Sequence, residues 1–205
     1  MKQLICIIGK SASGKTQIAE FVAKELGLNY LKSYTTRPKR KSNESGHTFI
    51  SEETADTILN CSDVEILGYN EDFGGYQYFA TMEQVSNIKP TVYVIEPKSF
   101  TSMVAKHPEI PTLGIYLHTE VYECLSRMKK DGLSEKAALE RLARDGDSER
   151  LMPCDFIVFT TGRPLEYVAQ EVQFVVREWL KAYEGEKPKS RIIMPGQAPM
   201  LELIN

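Results

Sequence analysis

IIGKSASGKT, residues 7–16, is the stretch that decides the fold of this chain. It starts inside an apolar run, residues 4–8, that has the character of a strand covered on both faces. It ends in small residues around a single lysine. The stretch matches the pattern G-x-x-x-x-G-K-[ST], whose fixed positions are Gly9, Gly14, Lys15 and Thr16.

This pattern predicts a phosphate-binding loop, because its glycines allow backbone N–H groups to converge on a phosphate. A helical pattern over residues 15–26 follows the loop, and the N-terminus of that helix adds partial positive charge. A tight strand-to-helix turn with an exposed lysine is the alternative, but the strand–loop–helix setting favours phosphate binding. We predict that Lys15 reaches the β- and γ-phosphates of ATP and acts in catalysis, and that the Thr16 hydroxyl binds Mg²⁺. The loop residues predicted to hold the ATP phosphates are Gly9, Lys10, Ser11, Ala12, Ser13, Gly14, Lys15 and Thr16.

The rest of the chain alternates strand-like and helical segments. Strands are predicted at residues 91–95, 113–118 and 156–160, and each is followed by a helical pattern, at residues 98–105, 120–130 and 165–182. This alternation predicts an α/β protein, with a central parallel sheet between two layers of helices. A largely polar segment, residues 33–89, interrupts this alternation and is predicted to form an inserted subdomain.

Composition excludes several classes of function. The 205 residues suit one domain, and a net charge of −3 argues against nucleic acid as a partner. The chain has 4 scattered cysteines, which favours a reducing cytoplasm over a disulfide framework. No apolar stretch reaches the roughly 20 residues that a membrane span needs. We therefore predict a cytoplasmic protein without membrane or nucleic-acid partners; monomer and homodimer both remain open.

A second cationic cluster lies in SYTTRPKRK, residues 33–41. Its cations are Arg37, Lys39, Arg40 and Lys41, and arginine forks suit a phosphate that accepts two hydrogen bonds. Such a run is usually a solvated surface. Its position just after the first strand–helix unit favours a site for the phosphate of an acceptor.

The two motifs together resemble the guanylate kinase family, whose members carry a phosphate-binding loop (P-loop) followed by S-x-T-T-R-x-x-R. The resemblance spans about residues 4–180 and implies a three-layer P-loop NTPase fold, with an inserted subdomain for the nucleoside monophosphate (NMP) and a helical lid. It implies that Ser33, Arg37 and Arg40 hold the acceptor phosphate. Residues 44–51 resemble the family's E-x-x-G…Y-x-F-V-S stretch in shortened form, with Thr48 near the place of its tyrosine.

Residues 73–81 resemble the family's F-G-N-Y-Y-G-T segment, and Glu96 falls where the family has an aspartate. In that family a glutamate, a Ser/Thr and the strand-end acid read guanine. The resemblance therefore assigns acceptor binding to five further residues: Glu71, Tyr76, Tyr78, Thr81 and Glu96. Glu65 is an alternative to Glu71 as the glutamate of this group. The tyrosines serve equally well as the core of a small subdomain.

The predicted lid, about residues 127–148, is rich in arginine. Ser134 is a good N-cap, and Arg141 and Arg144 lie three positions apart, so they share one helix face. Charge balanced by acidic neighbours is the simpler explanation. Because phosphoryl transfer needs charge neutralisation, the resemblance favours catalytic roles for Arg127, Arg141 and Arg144.

The sequence thus predicts an enzyme that transfers the γ-phosphoryl group of ATP to a nucleoside monophosphate, with GMP favoured. Two alternatives remain: a kinase of the same fold acting on another phosphorylated acceptor, and a non-catalytic guanylate-kinase-like binding module. The predicted organisation is a domain at 1–183 (core 1–32 and 90–183, NMP-binding insertion 33–89, lid about 127–148) and a tail at 184–205 whose role the sequence does not indicate.

Overall fold

The computed structural model describes residues 1–40, 42, 44–71, 74–146 and 154–185. A parallel sheet of five strands forms its centre, in the order β2-β7-β1-β8-β9. Its strands are β1 (Leu4–Gly9), β2 (Asn29–Leu31), β7 (Thr91–Val94), β8 (Thr112–His118) and β9 (Phe156–Phe159). The predicted α/β class and parallel sheet are confirmed.

Strand β1 lies in the middle of this sheet and is buried along its whole length. Alternate side chains serve opposite cores: Ile5 and Ile7 belong to one apolar cluster, Cys6 and Ile8 to the other. This alternation follows from the two-residue period of a strand, and it explains why the run is apolar without a polar face.

Helices complete the outer layers. They are α1 (Lys15–Glu25), α2 (Glu52–Leu59), α3 (Pro97–Lys106), α4 (Val121–Lys130), α5 (Glu135–Gly146) and α6 (Leu165–Gly185). Helices α1 and α6 cover the face of the sheet that carries Ile5, and α3 lies on the other face. Helices α4 and α5 have a small core of their own, formed by Cys124, Met128, Ala138 and Leu142.

A second sheet, in the order β4-β3-β6-β5, lies within the predicted insertion. Its strands are β3 (Tyr34–Thr35), β4 (Thr48–Phe49), β5 (Ile66–Glu71) and β6 (Gln77–Thr81), and a short 3₁₀ helix, Met82–Gln84, follows it. Leu67 and Ala80 of this sheet share a core with Ile8 and Phe100, so it packs directly against the central unit. The domain boundaries remain predictions.

No helix in the described ranges is long and apolar enough to cross a membrane. The tail predicted at residues 184–205 lies almost entirely outside the described residues.

Candidate active site

A cavity of about 1610 Å³ lies at the carboxyl edge of the central sheet. Residues that directly follow β1, β7 and β9 line it, as expected for an open α/β sheet. Three groups of predicted residues meet there: residues 11–16 of the phosphate loop, the two arginines of the cationic cluster after β3, and Arg127 and Arg141 of α4 and α5. One cavity therefore joins the predicted donor and acceptor clusters.

The phosphate loop owes its path to two glycines. Gly14 has φ of 92°, a left-handed conformation that favours glycine, just before α1 starts at Lys15. A side chain at Gly9 would place its Cβ 2.8 Å from the carbonyl oxygen of Leu117 on the neighbouring strand. The loop can therefore turn tightly from β1 into α1 only with these residues.

Lys15 is turned back onto the loop. Its Nζ donates to the carbonyl oxygens of Gly9, at 2.7 Å, and Lys10, at 2.6 Å. Burial lowers the pKa of Lys15, while the charges of Asp145 and Glu96 oppose that shift. The ammonium is thus held at the mouth of the loop by groups that a phosphate can replace.

The loop also fits the phosphates of a nucleotide. Ser13 is buried, and its Oγ has no hydrogen-bond partner among the described residues. Buried polar atoms normally find partners, so this hydroxyl suits a ligand oxygen in the loop. Thr16 is exposed towards the cavity, in contact range of Gly46, so its hydroxyl is available for Mg²⁺. The residues present are consistent with MgATP.

Two of the three predicted lid arginines contact the loop. Nη1 of Arg127 donates to the carbonyl oxygen of Ala12 at 3.1 Å, and Arg127 also pairs with Glu123 one turn earlier on α4. Nε of Arg141 donates to Ser11 Oγ at 2.8 Å. The side chain of Arg144 lies outside the described residues. Ser134 caps α5 as predicted, since its Oγ accepts from the Ala137 N–H.

In the acceptor cluster, Arg37 is almost completely surrounded by protein. Its guanidinium pairs with Glu44 at 2.7 Å, and its Nε donates to the Tyr78 hydroxyl at 3.0 Å. Arg40 lines the same cavity, where partial burial and then the charges of Arg141 and Arg37 hold its pKa below the ordinary value. The cations of lid and cluster thus converge, an arrangement that an anion would stabilise.

Ser33 is buried, and its Oγ lies 2.8 Å from Nδ1 of His47. Thr48, which sequence reasoning placed near the family's tyrosine, is exposed, whereas its neighbour His47 lines the cavity. Sequence reasoning assigned His47 no role at the site and missed its place beside the cationic cluster.

Elsewhere in the cavity lining, Nδ2 of Asn70 donates to a carboxylate oxygen of Glu96 at 2.9 Å. Glu71 also lines the cavity, whereas the alternative, Glu65, lies near the ring of His107 at 3.5 Å. Tyr76 and Thr81 are not among the residues that line the cavity. Thr81 is buried, and its backbone N–H donates to Gln84 Oε1 at the start of the 3₁₀ helix.

Sequence reasoning also missed Asn70 and Asp145. Asn70 lies on β5 next to Glu71. Its contact with Glu96, 26 positions later in the sequence, is visible only in the folded structure. Asp145 accepts a hydrogen bond from the Ser11 N–H of the phosphate loop. In the sequence, Asp145 lies one turn beyond Arg141, and this spacing does not distinguish a residue of the site from a charge on a solvated helix face.

Comparisons with known proteins support the fold. No protein-family model and no curated protein matches this chain. Among solved structures, a guanylate kinase from Anaplasma phagocytophilum is similar with a TM-score of 0.62 and 17% identity, over 92% of this chain and 97% of that one. A gluconokinase from Sinorhizobium meliloti 1021 is similar with a TM-score of 0.51 and 15% identity, over 90% of this chain and 98% of that one.

The chain therefore has the fold of the P-loop kinases. The resemblance to guanylate kinases, which the motifs predict, is confirmed at the level of the fold. A gluconokinase shares this fold, so the fold by itself does not define the acceptor.

Proposed function

We propose that this protein is a P-loop kinase that transfers the γ-phosphoryl group of MgATP to a nucleoside monophosphate, with GMP as the favoured acceptor. The observation that carries the proposal is that the phosphate loop and the arginines Arg37 and Arg40 line one and the same cavity. Arg127 and Arg141 line this cavity too, and both contact the loop.

In this proposal the phosphate loop binds the donor. The N–H groups of residues 10–16 and the Ser13 hydroxyl surround its phosphates, and Lys15 moves from the Gly9 and Lys10 carbonyls to a phosphate oxygen. Thr16 would hold Mg²⁺, which neutralises charge on the phosphates when bound. No covalent intermediate on the protein is needed.

The acceptor cluster orients the nucleophile. Arg40 and Arg37 would hold the acceptor phosphate, Arg37 by exchanging part of its pairing with Glu44 for the ligand. Arg127 and Arg141 would neutralise the charge that spreads over the migrating group. Closure of α4 and α5 over the cavity would exclude water, which otherwise competes as acceptor.

The part of the cavity lined by Asn70 and Glu96 supports a substrate with several hydrogen-bond donors on one edge. Glu96 offers carboxylate oxygens, and Asn70, whose Nδ2 is engaged with Glu96, can offer its Oδ1. Adjacent acceptor atoms suit a ligand with neighbouring N–H or O–H donors, such as guanine. The hydroxyls of a sugar phosphate satisfy the same atoms, so a kinase acting on another phosphorylated acceptor is the second candidate.

The test is an acceptor panel. Purified protein receives ATP, Mg²⁺ and, in turn, each common nucleoside monophosphate and ribose 5-phosphate, and ADP formation is measured, with Lys15→Ala as the inactive control. We expect the highest rate with GMP. A rate with ribose 5-phosphate alone would favour the second candidate. No ADP above the Lys15→Ala background with any acceptor would refute the kinase and leave the binding module.

A further inference from the structure

His47 is held in a defined orientation inside the cavity. Its Nδ1 lies 2.8 Å from Ser33 Oγ, and its ring stands edge-on to the ring of Tyr78, with centroids 5.6 Å apart. Phe49 lies on another side, at 6.1 Å. Because Nδ1 is engaged by Ser33, Nε2 is the ring atom left to meet a ligand in the cavity.

The contact with Ser33 survives a change in protonation. A hydroxyl can both donate and accept, so it can donate to a neutral Nδ1 or accept from a protonated Nδ1–H. A protonated ring would therefore keep its anchor and gain a second donor at Nε2. This makes the ring suited to bind an anion in one of its two charge states.

Charged groups from each neighbouring segment face the ring. Arg37 and Arg40 follow β3, Glu44 precedes β4, and the Tyr78 hydroxyl comes from β6. Burial and then the charge of Arg37 lower the pKa of His47 to about 4, with Glu44 opposing the shift and Arg40 adding to it. Without a ligand, the ring is consequently neutral at pH 7.

A dianion placed between Arg37 and Arg40 opposes this shift, because it cancels the repulsion from the two arginines and gives a protonated ring a counter-charge that offsets the effect of burial. We propose that His47 is a ligand of the acceptor phosphate and takes up a proton from the buffer when that dianion binds. The proposal rests on the proposed function for the identity of the anion as the acceptor's phosphate. It makes acceptor binding dependent on pH, with tighter binding at lower pH as long as the phosphate stays doubly charged.

Sulfate is a suitable probe because it keeps two charges over the whole range in which histidine titrates. The chain has 3 histidines, so the ring C–H signals of protein labelled with ¹³C-histidine are few. His47→Gln assigns one of them, and His118→Gln assigns a histidine that does not line the cavity and serves as the control. The titration is run in saturating sodium sulfate and in sodium chloride of equal ionic strength.

We expect sulfate to raise the pKa of His47 by about two to three units, which is what a twofold effect on binding at pH 6.5 requires, and to leave that of His118 unchanged. An unchanged His47 pKa in sulfate, whether no anion binds or it binds away from the ring, overturns the proposal. The measurement needs no phosphoryl transfer. A shift of the His47 pKa without any activity in the acceptor panel would therefore refute the kinase but not the anion site. Activity without a shift of that pKa would support the kinase and refute the role of His47.

A kinetic measurement separates anion binding from a merely structural role. His47→Gln keeps an N–H donor near the position of Nε2 but cannot be charged. With GMP we expect its KM to exceed that of the wild type at pH 6.5 by about twofold or more, to match it at pH 8.5, and its kcat to change little. A change in KM that is equal at both pH values overturns the proton uptake.

Discussion

The backbone N–H of Ser11 donates a 2.7 Å hydrogen bond to Oδ2 of Asp145, which places a carboxylate from α5 on the phosphate loop. Arg141, one turn earlier on α5, holds the hydroxyl of the same serine. A carboxylate therefore occupies an N–H group in a loop that we propose binds phosphate. Nucleotide binding would have to displace it.

Replacing Asp145 with asparagine is expected to strengthen ATP binding. The variant Asp145→Asn removes a negative charge close to the triphosphate and weakens the bond to Ser11. We expect the Kd for MgATP to fall about fivefold, equivalent to about 1 kcal/mol, as measured by calorimetry. Glu140→Gln makes the same charge change on the exposed side of α5 and should have little effect. Weaker binding by Asp145→Asn would show instead that the carboxylate assists the bound nucleotide.

Arg141 is expected to act on the rate rather than on binding. Its contact with Ser11 places its guanidinium over the loop, where charge develops during transfer. For Arg141→Met we expect kcat to fall about 100-fold with a small change in acceptor KM. Lys136→Met, on an exposed position of the same helix, is the matched control. A kcat within a factor of about two of the wild type would leave Arg141 with a structural role only.

Stability should depend on pH through His47. Its pKa is lowered from 6.5 to about 4 in the folded protein, so the unfolded chain binds more protons between these values. The stabilising contribution is therefore complete above pH 6.5 and is lost as pH falls towards 4. From pH 7.5 to 5, chemical denaturation should show the wild type losing about 1–2 kcal/mol more than His47→Gln.

Protonation of Glu44 does not contribute to the difference in stability over this pH range. Burial tends to raise its pKa, but hydrogen bonds from Arg37 and from the Arg40 N–H outweigh burial and hold it below 4.5. Its contribution is lost only as pH falls below that value, outside the window used. Parallel pH profiles for the wild type and His47→Gln would contradict the neutral, buried state of the ring.

Gly114 allows close packing between β8 and α3. A Cβ at this position would lie 2.6 Å from Cζ of Phe100, which is itself buried. Gly114→Ala should lower the free energy of unfolding by about 1–3 kcal/mol because the ring has no room to move. In a Phe100→Leu background, the same substitution should cost clearly less. An equal cost in both backgrounds would exclude this contact as the cause.

Ala12 has φ of 62°, a left-handed conformation that is unfavourable for any residue with a Cβ. Ala12→Gly is therefore expected to raise the free energy of unfolding by about 0.5–1 kcal/mol. Ala143→Gly, on an exposed position within α5, should lower it instead, since glycine is a poor helix former. Destabilisation by both would show that Ala12 is not strained.

The central sheet and the phosphate loop could be predicted because their signals are local. An apolar run such as residues 4–8 and a fixed glycine spacing define a strand, a turn and a helix start without knowledge of distant residues. The helix cap at Ser134 was predictable for the same reason.

Residues brought in by tertiary contacts could not be predicted in this way. His47 precedes a strand of two residues, too short for a periodic pattern. Sequence reasoning placed the family's tyrosine near Thr48, although Y-x-F counted back from Phe49 gives position 47. Asp145 has the spacing of a surface charge, and only the packing of α5 over the loop distinguishes it. The Arg37–Glu44 pair joins a residue that follows β3 to one that precedes β4, and no periodic pattern in the sequence links the two.

The second sheet shares its apolar core with the central sheet, whereas α4 and α5 have a separate small core. Swinging the second sheet outwards would expose Leu67 and Ala80 to water. Lifting α4 and α5 together would keep their shared core intact and would break mainly polar contacts to Ser11 and Ala12, which water can replace. Nucleotides should therefore enter and leave the cavity beneath α4 and α5, while the second sheet stays in place.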